Sequence, residues 1–383
     1  MYIHRQLYQK FKKVAGVYPV VAVVGARQVG KTTFLKQHMK DASYVLFDDP
    51  DARLLFEEDI KKFELQYIKK LTVLDEVQYC KEAGRKLKYL ADSGKQLWIT
   101  SSSELILRKE VLSYLVGRVS VLRLYPFTLS EFFDAQKIQA LNQPILKRAV
   151  WEHMTYGGYP KVVLTRDIEL KTIILKDLYE TMIMKDVART FSIEDIDALE
   201  KFVRILAINT STLITYNKIA ELVKISHQTI KKYQDALEKS HLLIRIYPFY
   251  QNKNKELTKQ PKVYFLDTGL RNAIVNAFQV EADGRIFENY VLTELIKKGL
   301  HVKYWRTKAK AEVDFIIEKQ NEIIPVEVKL ASTKISRSLQ AFIKAYKPQR
   351  CYIVNYEGHK HSTLYETTKV EALDVQSLLE QLQ

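Results

Sequence analysis

The sequence predicts an α/β chain in three parts: a parallel sheet covered on both faces, a helical middle, and a second α/β unit. Three observations predict it. Apolar runs of strand length, "YPVVAVVG", "SYVLFDD", "LTVLDE", "KQLWIT" and "VSVLRLYPFT", alternate with helical patterns through Thr128, as buried parallel strands with crossover helices do. From about Leu129 to about His241 the apolar spacing is helical throughout. From Gly284 onward a helix, several strands and further helices follow. A chain of 383 residues is also too long for one ordinary core.

Composition narrows the class. Hydrophobic residues make up 47%, which is ordinary for globular protein and excludes disorder as the main state. The formal net charge is +15, which favours a polyanionic partner, either nucleic acid or an acidic membrane surface. The opening "MYIHRQLYQKFKK" has no uncharged apolar core of a secretory signal. No apolar run is long enough to span a bilayer. Cys80 and Cys351 are far apart and have no metal-ligand spacing. A reduced, cytoplasmic chain with no membrane partner is expected.

The elements follow in order. A helix over about Arg5–Val14 precedes the first strand, and another starts at Lys31. Between them lies "GARQVGKT", Gly25 to Thr32, which fits GxxxxGK[ST] between a buried strand and a helix. Successive N–H groups of such a loop cradle phosphates, and the helix N-terminus adds positive potential. The nucleotide-binding set is Gly25, Ala26, Arg27, Gln28, Val29, Gly30, Lys31, Thr32 and Thr33. Lys31 reaches the β- and γ-phosphates of ATP, and Thr32 ligates Mg²⁺. The strand "VLDEVQ" ends in Asp75, placed to hold Mg²⁺ through water, and Glu76, placed to orient or deprotonate the attacking water.

With these motifs the chain resembles AAA-type P-loop ATPases. The resemblance implies a polar γ-phosphate sensor at the end of the next strand, here Thr100 beside Ser101 and Ser102, where Thr-Gly-Ser is usual. It implies an arginine before the last sheet strand that reaches a neighbouring subunit's nucleotide, here Arg118, and hence a homo-oligomer; a plain surface arginine is the other reading. "GGYPKVV", Gly157 to Val163, fits the helical lid, with Lys161 and Arg166 as candidates for a second sensor.

"YNKIAELVKISHQTIKKYQDALEKSHLL" places apolar residues at Ile219, Leu222, Ile230, Tyr233 and Leu237, and Ser226 can N-cap its second helix. With the strands expected in "YPFYQNKNKELTKQPKVYFLD", this describes a winged helix-turn-helix with "QNKNKELTK" as wing tip. Its second helix exposes His227, Gln228, Lys231 and Lys232 toward a DNA major groove. A packing module with a solvated lysine face stays open as the alternative.

"AEVDFIIEKQNEIIPVEVKL", Ala311 to Leu330, reads as a hairpin. A turn at Gln320 and Asn321 sets Lys319 opposite Glu322, Asp314 opposite Glu327 and Glu312 opposite Lys329, with all four charged residues on one face. Val313, Phe315, Val326 and Val328 then form the apolar face. Facing carboxylates call for a cation or a proton between them. Asp314 and Glu327 would bind Mg²⁺, with Lys329 positioning water or stabilising the pentavalent charge and Glu288, from the helix "GRIFENYVLTELIKKG", facing the same metal; Glu294 is the second helix candidate but reads as a surface residue. A half-exposed sheet with a salt bridge from Glu327 or Glu312 to Lys329 is the other reading.

This helix–Asp–ExK order resembles the restriction-endonuclease-like PD-(D/E)xK nucleases, with Val313 where proline is common. Nearly the whole chain resembles prokaryotic AAA-type ATPases with a winged-helix segment and a nuclease-like C-terminal domain. The expected domains are the ATPase at 1–135, the helical lid at 136–200, the winged helix-turn-helix at 201–267 and the restriction-endonuclease-like α/β domain at 268–383. The expected function is ATP hydrolysis coupled to a DNA-binding, Mg²⁺-dependent DNA-cleaving module. The alternative is a switch or assembly protein that binds DNA or protein without cutting.

Overall fold

The structure is a computed structural model describing residues 2–103, 107, 111–139, 142–213, 215–250, 260–278, 281–319 and 322–382. The first unit comprises α1 (Leu7–Ala15), β1 (Val20–Val24), α2 (Lys31–His38), β2 (Ser43–Leu46), α3 (Pro50–Glu58), α4 (Ile60–Tyr67), β3 (Leu71–Asp75), α5 (Ala83–Asp92), β4 (Gln96–Ser101) and β5 (Val119–Arg123). Its sheet runs β2-β3-β4-β1-β5, with every pairing parallel. β1 is buried on both faces: Val21 and Val23 pack with Phe11, Phe34 and Trp98, while Val20, Ala22 and Val24 pack with Leu74, Leu87 and Ile99. That two-sided burial is why "VVAVV" has no polar alternation. It also sets the loop after β1 beside the C-terminal ends of β4 and β3, where open parallel sheets bind ligands.

The middle comprises α6 (Leu129–Gln136), α7 (Gln143–Tyr156), α8 (Pro160–Leu164), α9 (Ile168–Thr181), a π-helical stretch (Met182–Arg189), α10 (Ile196–Ile208), β6 (Thr212–Leu213), α11 (Tyr216–Val223), α12 (His227–Lys239), β7 (Leu243–Ile246), β8 (Lys262–Phe265) and α13 (Thr268–Val275). Ser226 caps α12 by accepting the Thr229 N–H at 3.0 Å. α11, a short turn and α12 lie between β6 and β7 of an antiparallel β6-β8-β7 sheet.

Two expectations here need correction. The first ribbon strand is Leu243–Ile246 rather than "YPFY"; that segment instead reaches the last sheet, with a Pro248–Tyr304 bridge and Phe249 buried in its core. Leu222 is 70% exposed, because Ile219 and Val223, one turn apart, are the residues that α11 buries. The wing tip "QNKNKELTK" and the turn Gln320–Asn321 lie outside the described residues.

The last unit comprises α14 (Gly284–Lys297), β9 (Val302–Arg306), β10 (Glu312–Lys319), β11 (Glu322–Lys329), α15 (Arg337–Tyr346), β12 (Arg350–Asn355), β13 (His361–Tyr365), β14 (Thr368–Leu373) and α16 (Val375–Gln381). Its mixed sheet runs β13-β14-β12-β11-β10-β9. One face packs on α14 and α16, and the other packs on α15. Phe127, Leu129, Phe132 and Met154 share the α14 core, so the middle and last units are joined by apolar packing.

Candidate functional site

At the end of β1 the loop turns through Gln28 (φ 62°) and Gly30 (φ 96°) into α2. A β-carbon on Gly25 would lie 2.1 Å from the Leu124 carbonyl oxygen, so only glycine fits beside β5. Lys31 is buried, and its Nζ donates to the Gly25 and Ala26 carbonyls at 3.0 Å each. Burial pulls its ammonium below the ordinary lysine range, while Glu76, Asp186 and Asp75 oppose that pull.

The acids of β3 converge on this loop. Thr32 Oγ1 donates to Asp75 Oδ2 at 2.7 Å. The Tyr44 hydroxyl donates to the same oxygen at 2.6 Å. Thr100 donates to Asp75 Oδ1 and accepts the Glu76 N–H at 2.9 Å. Thr100 therefore stands behind both acids, fully buried. Glu76 adopts a left-handed φ of 61°, which turns its side chain out of the strand toward Gln78 and Ser102.

A cavity of about 260 Å³ opens beside Gly30, lined by Tyr2, Ile3, Val29, Phe127, Pro160 and Leu164 among others. Arg5 braces it: its guanidinium donates to the Val29 carbonyl at 2.9 Å and the Tyr125 carbonyl at 2.5 Å, and pairs with Glu131 at 3.2 Å. On the other side of the loop, Arg27 forms a two-pronged ion pair with Asp186 of the π-helical stretch, at 3.1 and 2.9 Å.

The other sequence candidates are placed as follows. Arg118 precedes β5 and pairs with Asp92 of its own chain at 2.6 Å. Lys161 and Arg166 are exposed. His227, Gln228, Lys231 and Lys232 are exposed on α12; Lys232 donates to the Ser192 carbonyl at 3.2 Å, and the His227 ring meets Tyr216 edge-on at 5.3 Å.

The hairpin holds a finding that counting could not supply. Lys319↔Glu322 through Phe315↔Val326 keep the expected register. Beyond it, the pairing of β10 with β9 shifts between Val313 and Ile316, a β-bulge. Val313 consequently packs against α15, while Phe315 packs against α14. The expectation of one shared charged face is thus corrected. Asp314 and Glu312 turn to the α14 side with Glu288. Glu327, alternating with Val326 and Val328 of the α14 core, turns the other way and accepts from Ser336 Oγ at 2.9 Å. Lys329 Nζ lies 2.8 Å from Glu327 Oε1, which is the salt bridge of the second reading.

The α14 side already contains a cation. Lys262, 2% exposed, sets its Nζ 3.1 Å from Glu288 and 2.5 Å from Glu312. Glu312 also pairs with Arg306 at 3.0 Å, and the Tyr264 hydroxyl donates to Glu288 at 2.7 Å. Burial pulls the Lys262 ammonium down, but Glu288, Asp314 and Glu312 together outweigh it and raise it. Asp314 accepts the Val328 N–H at 2.8 Å, and burial with Glu288 nearby pushes its carboxyl up to about 7. Among the described residues no three His, Cys, Asp or Glu side chains converge as a metal-binding group. Glu294 is buried, not on the surface: it accepts the Leu129 N–H at 2.8 Å and pairs with Lys297.

Arg5, Tyr44, Asp186 and Lys262 are the site residues that sequence reasoning missed. None lies in a spaced motif; Lys262, a charged residue opening the apolar run "KVYFL", was the one visible signal.

Residues 17–133 match the model of a family described as AAA domain, and they form an AAA-type P-loop domain around Lys31 and Asp75. Residues 147–281 and 283–376 match models described as Domain of unknown function (DUF8612) and Domain of unknown function (DUF4143). The chain is 26% identical to an uncharacterized protein of Haemophilus influenzae over 334 residues, 81% of this chain and 82% of that protein. It is 28% identical to the uncharacterized protein MJ1544 of Methanocaldococcus jannaschii over 365 residues, 88% and 80% of the two chains. A solved Walker-type ATPase of Pyrococcus abyssi superposes with a TM-score of 0.47 at 14% identity, covering 71% of this chain and 96% of that one.

Proposed function

We propose that the chain is an ATP-hydrolysing switch whose nucleotide state is relayed to a helical middle and a C-terminal unit that bind DNA without cutting it. The observation that carries the first half is the convergence of Lys31, Thr32, Asp75, Glu76 and Thr100 at one end of the parallel sheet. The adjoining cavity, apolar on Ile3, Val29, Phe127 and Leu164, suits a nucleobase.

Thr32 and Asp75 offer hard oxygens 2.7 Å apart, a donor pair that fits Mg²⁺. Bound there, Mg²⁺ supplies neutralising charge for the β- and γ-phosphates. The chain's own groups do the rest. Loop N–H groups hold the phosphates, and Lys31 exchanges two carbonyl partners for them. Glu76 orients the attacking water, and Thr100 fixes the Glu76 backbone by accepting its N–H.

For the second half, the net charge of +15 and the exposed His227, Gln228 and Lys231 support a nucleic-acid partner. The C-terminal cluster does not fit a Mg²⁺ site as it stands, because Lys262 neutralises Glu288 and Glu312 and Glu327 faces away from Asp314. No cleavage step is derived from it. Two buried free thiols support a reducing compartment such as the cytoplasm.

The experiment measures Mg²⁺-dependent ATP turnover, DNA binding and DNA cleavage in the wild type, Lys31→Ala and Asp314→Asn. Turnover lost in Lys31→Ala, with DNA bound and uncut, is the expected result. Turnover that survives Lys31→Ala would overturn the ATPase half. Cleavage that disappears in Asp314→Asn would restore the nuclease reading and remove the non-cutting one.

A further inference from the structure

The ATP site has an acid where none is wanted. Asp186 is 6% exposed, and it and Arg27 both act electrostatically on Lys31. A terminal phosphate reached by Lys31 therefore arrives in the neighbourhood of a buried carboxylate. Two anions at close range repel, and a cation between them decides where each rests. Arg27 is that cation. It leaves the loop two residues after Gly25 and grips Asp186 through Nε and Nη2. Arg118, the arginine expected near a γ-phosphate, is held by Asp92, and Lys161 and Arg166 are exposed.

Asp186 also carries a second connection. It lies in the π-helical stretch Met182–Arg189, a geometry often found at functional sites. Its carbonyl accepts from Ser240 Oγ at 2.8 Å, and Ser240 is the C-cap of α12. One residue thus touches both the phosphate loop and the end of the helix that exposes His227, Gln228 and Lys231.

We propose that Arg27 is the phosphate-sensing arginine of this site, acting within its own chain: it docks on Asp186 when no triphosphate is bound and transfers its guanidinium fork to the γ-phosphate of ATP, releasing the Met182–Arg189 stretch and with it α12. A γ-phosphate carries more charge than a carboxylate and accepts the same two-pronged bond. ADP lacks that phosphate and leaves the Arg27–Asp186 pair closed. This inference rests on the ATP-binding reading above and adds to it the residue that tells ATP from ADP.

The test compares Mg-ATP and Mg-ADP affinities by calorimetry in a Glu76→Gln background, so that ATP stays intact. Arg27→Ala is expected to lower the preference for ATP over ADP about tenfold, the size of a typical coupling. Arg27→Lys, which keeps the charge without the fork, should recover part of it. Asp186→Asn, which frees Arg27, should move the preference the opposite way. Hydrogen exchange over residues 182–189 should rise with ATP and not with ADP in the parent, and respond to neither in Arg27→Ala. Preferences within twofold of the parent in both Arg27→Ala and Asp186→Asn, or shifts of one sign, overturn the proposal. A parent that binds neither nucleotide overturns the ATP-binding reading and this inference together, whereas a parent that binds both with unshifted variants overturns this inference alone.

Discussion

The Thr32 hydroxyl and the Asp75 carboxylate meet at 2.7 Å across the junction of α2 and β3, with Tyr44 on the same carboxylate oxygen. Two hard oxygens so placed would hold one Mg²⁺ ion, Asp75 through water. Asp75→Asn replaces one anionic ligand with a neutral amide. The Mg²⁺ concentration giving half-maximal ATP turnover is expected to rise at least about tenfold, as for other disturbed metal shells. Glu76→Gln keeps the ligands and removes the base, so it should bind ATP and lose about 10²–10⁴ in turnover. Calorimetric ATP binding beside a phosphate-release assay separates the two effects.

His153 is buried in α7 between the Tyr290 hydroxyl and the Phe127 carbonyl, each at 3.0 Å. Burial, helped by the Lys297 charge, holds its imidazole well below the ordinary range, with the Phe127 carbonyl opposing. A depressed folded-state value means the unfolded chain binds the proton more tightly. The contribution of His153 is therefore full above about pH 6.5 and is lost as the pH falls below it. Thermal unfolding between pH 7 and 5 should show this as a slope of at most about 1.4 kcal/mol per pH unit. In His153→Gln that slope should shrink; an unchanged slope would assign the acid sensitivity elsewhere.

Asp314 predicts the opposite sign. Its carboxyl is raised to about 7 by burial and by Glu288. A raised folded-state value means its contribution is present below about pH 4 and is lost as the pH climbs through 7. Asp314→Asn should be the more stable protein at pH 8, by up to a few kcal/mol after allowance for the nearby Lys262 and Lys329 charges, and keep only a smaller advantage at pH 5. Denaturant midpoints at the two pH values decide the matter.

These relationships differ in how far sequence could reach them. The phosphate loop was legible because its chemistry is local: Gly25, Gly30, Lys31 and Thr32 sit at fixed spacing after a run buried on both faces. Asp75 and Thr100 were legible as strand ends. The Arg27–Asp186 pair spans 159 residues, and nothing in either neighbourhood names the other. The bulge before Ile316 was equally silent: one extra residue in a ladder reverses which face a side chain meets, and no residue type marks it. Period-two counting succeeded from Phe315 to Lys319 and failed at Asp314, the residue on which the metal reading depended.

The last prediction concerns the buried cation on the α14 side. Lys262 is almost fully buried, with Glu288 and Glu312 around its ammonium and Asp314 acting on it electrostatically. Removing one partner from a buried charge network leaves the others uncompensated, at a cost of about 3–5 kcal/mol. Lys262→Met should therefore destabilise the chain by that order. It should also create what the wild type lacks, a group of acids on the α14 side without the buried Lys262 ammonium between them, leaving Arg306 on Glu312 and the Lys329 charge near Asp314. Mg²⁺ or Mn²⁺ in the millimolar range should then restore part of the lost stability in Lys262→Met, beyond any shift the ion gives the wild type, and Lys262→Met/Asp314→Asn should gain less. A variant as stable as the wild type would show that Lys262 is not compensating the acids. An equal Mg²⁺ shift in wild type and Lys262→Met would show that the ion binds elsewhere, and that the lysine does not occupy the cation position.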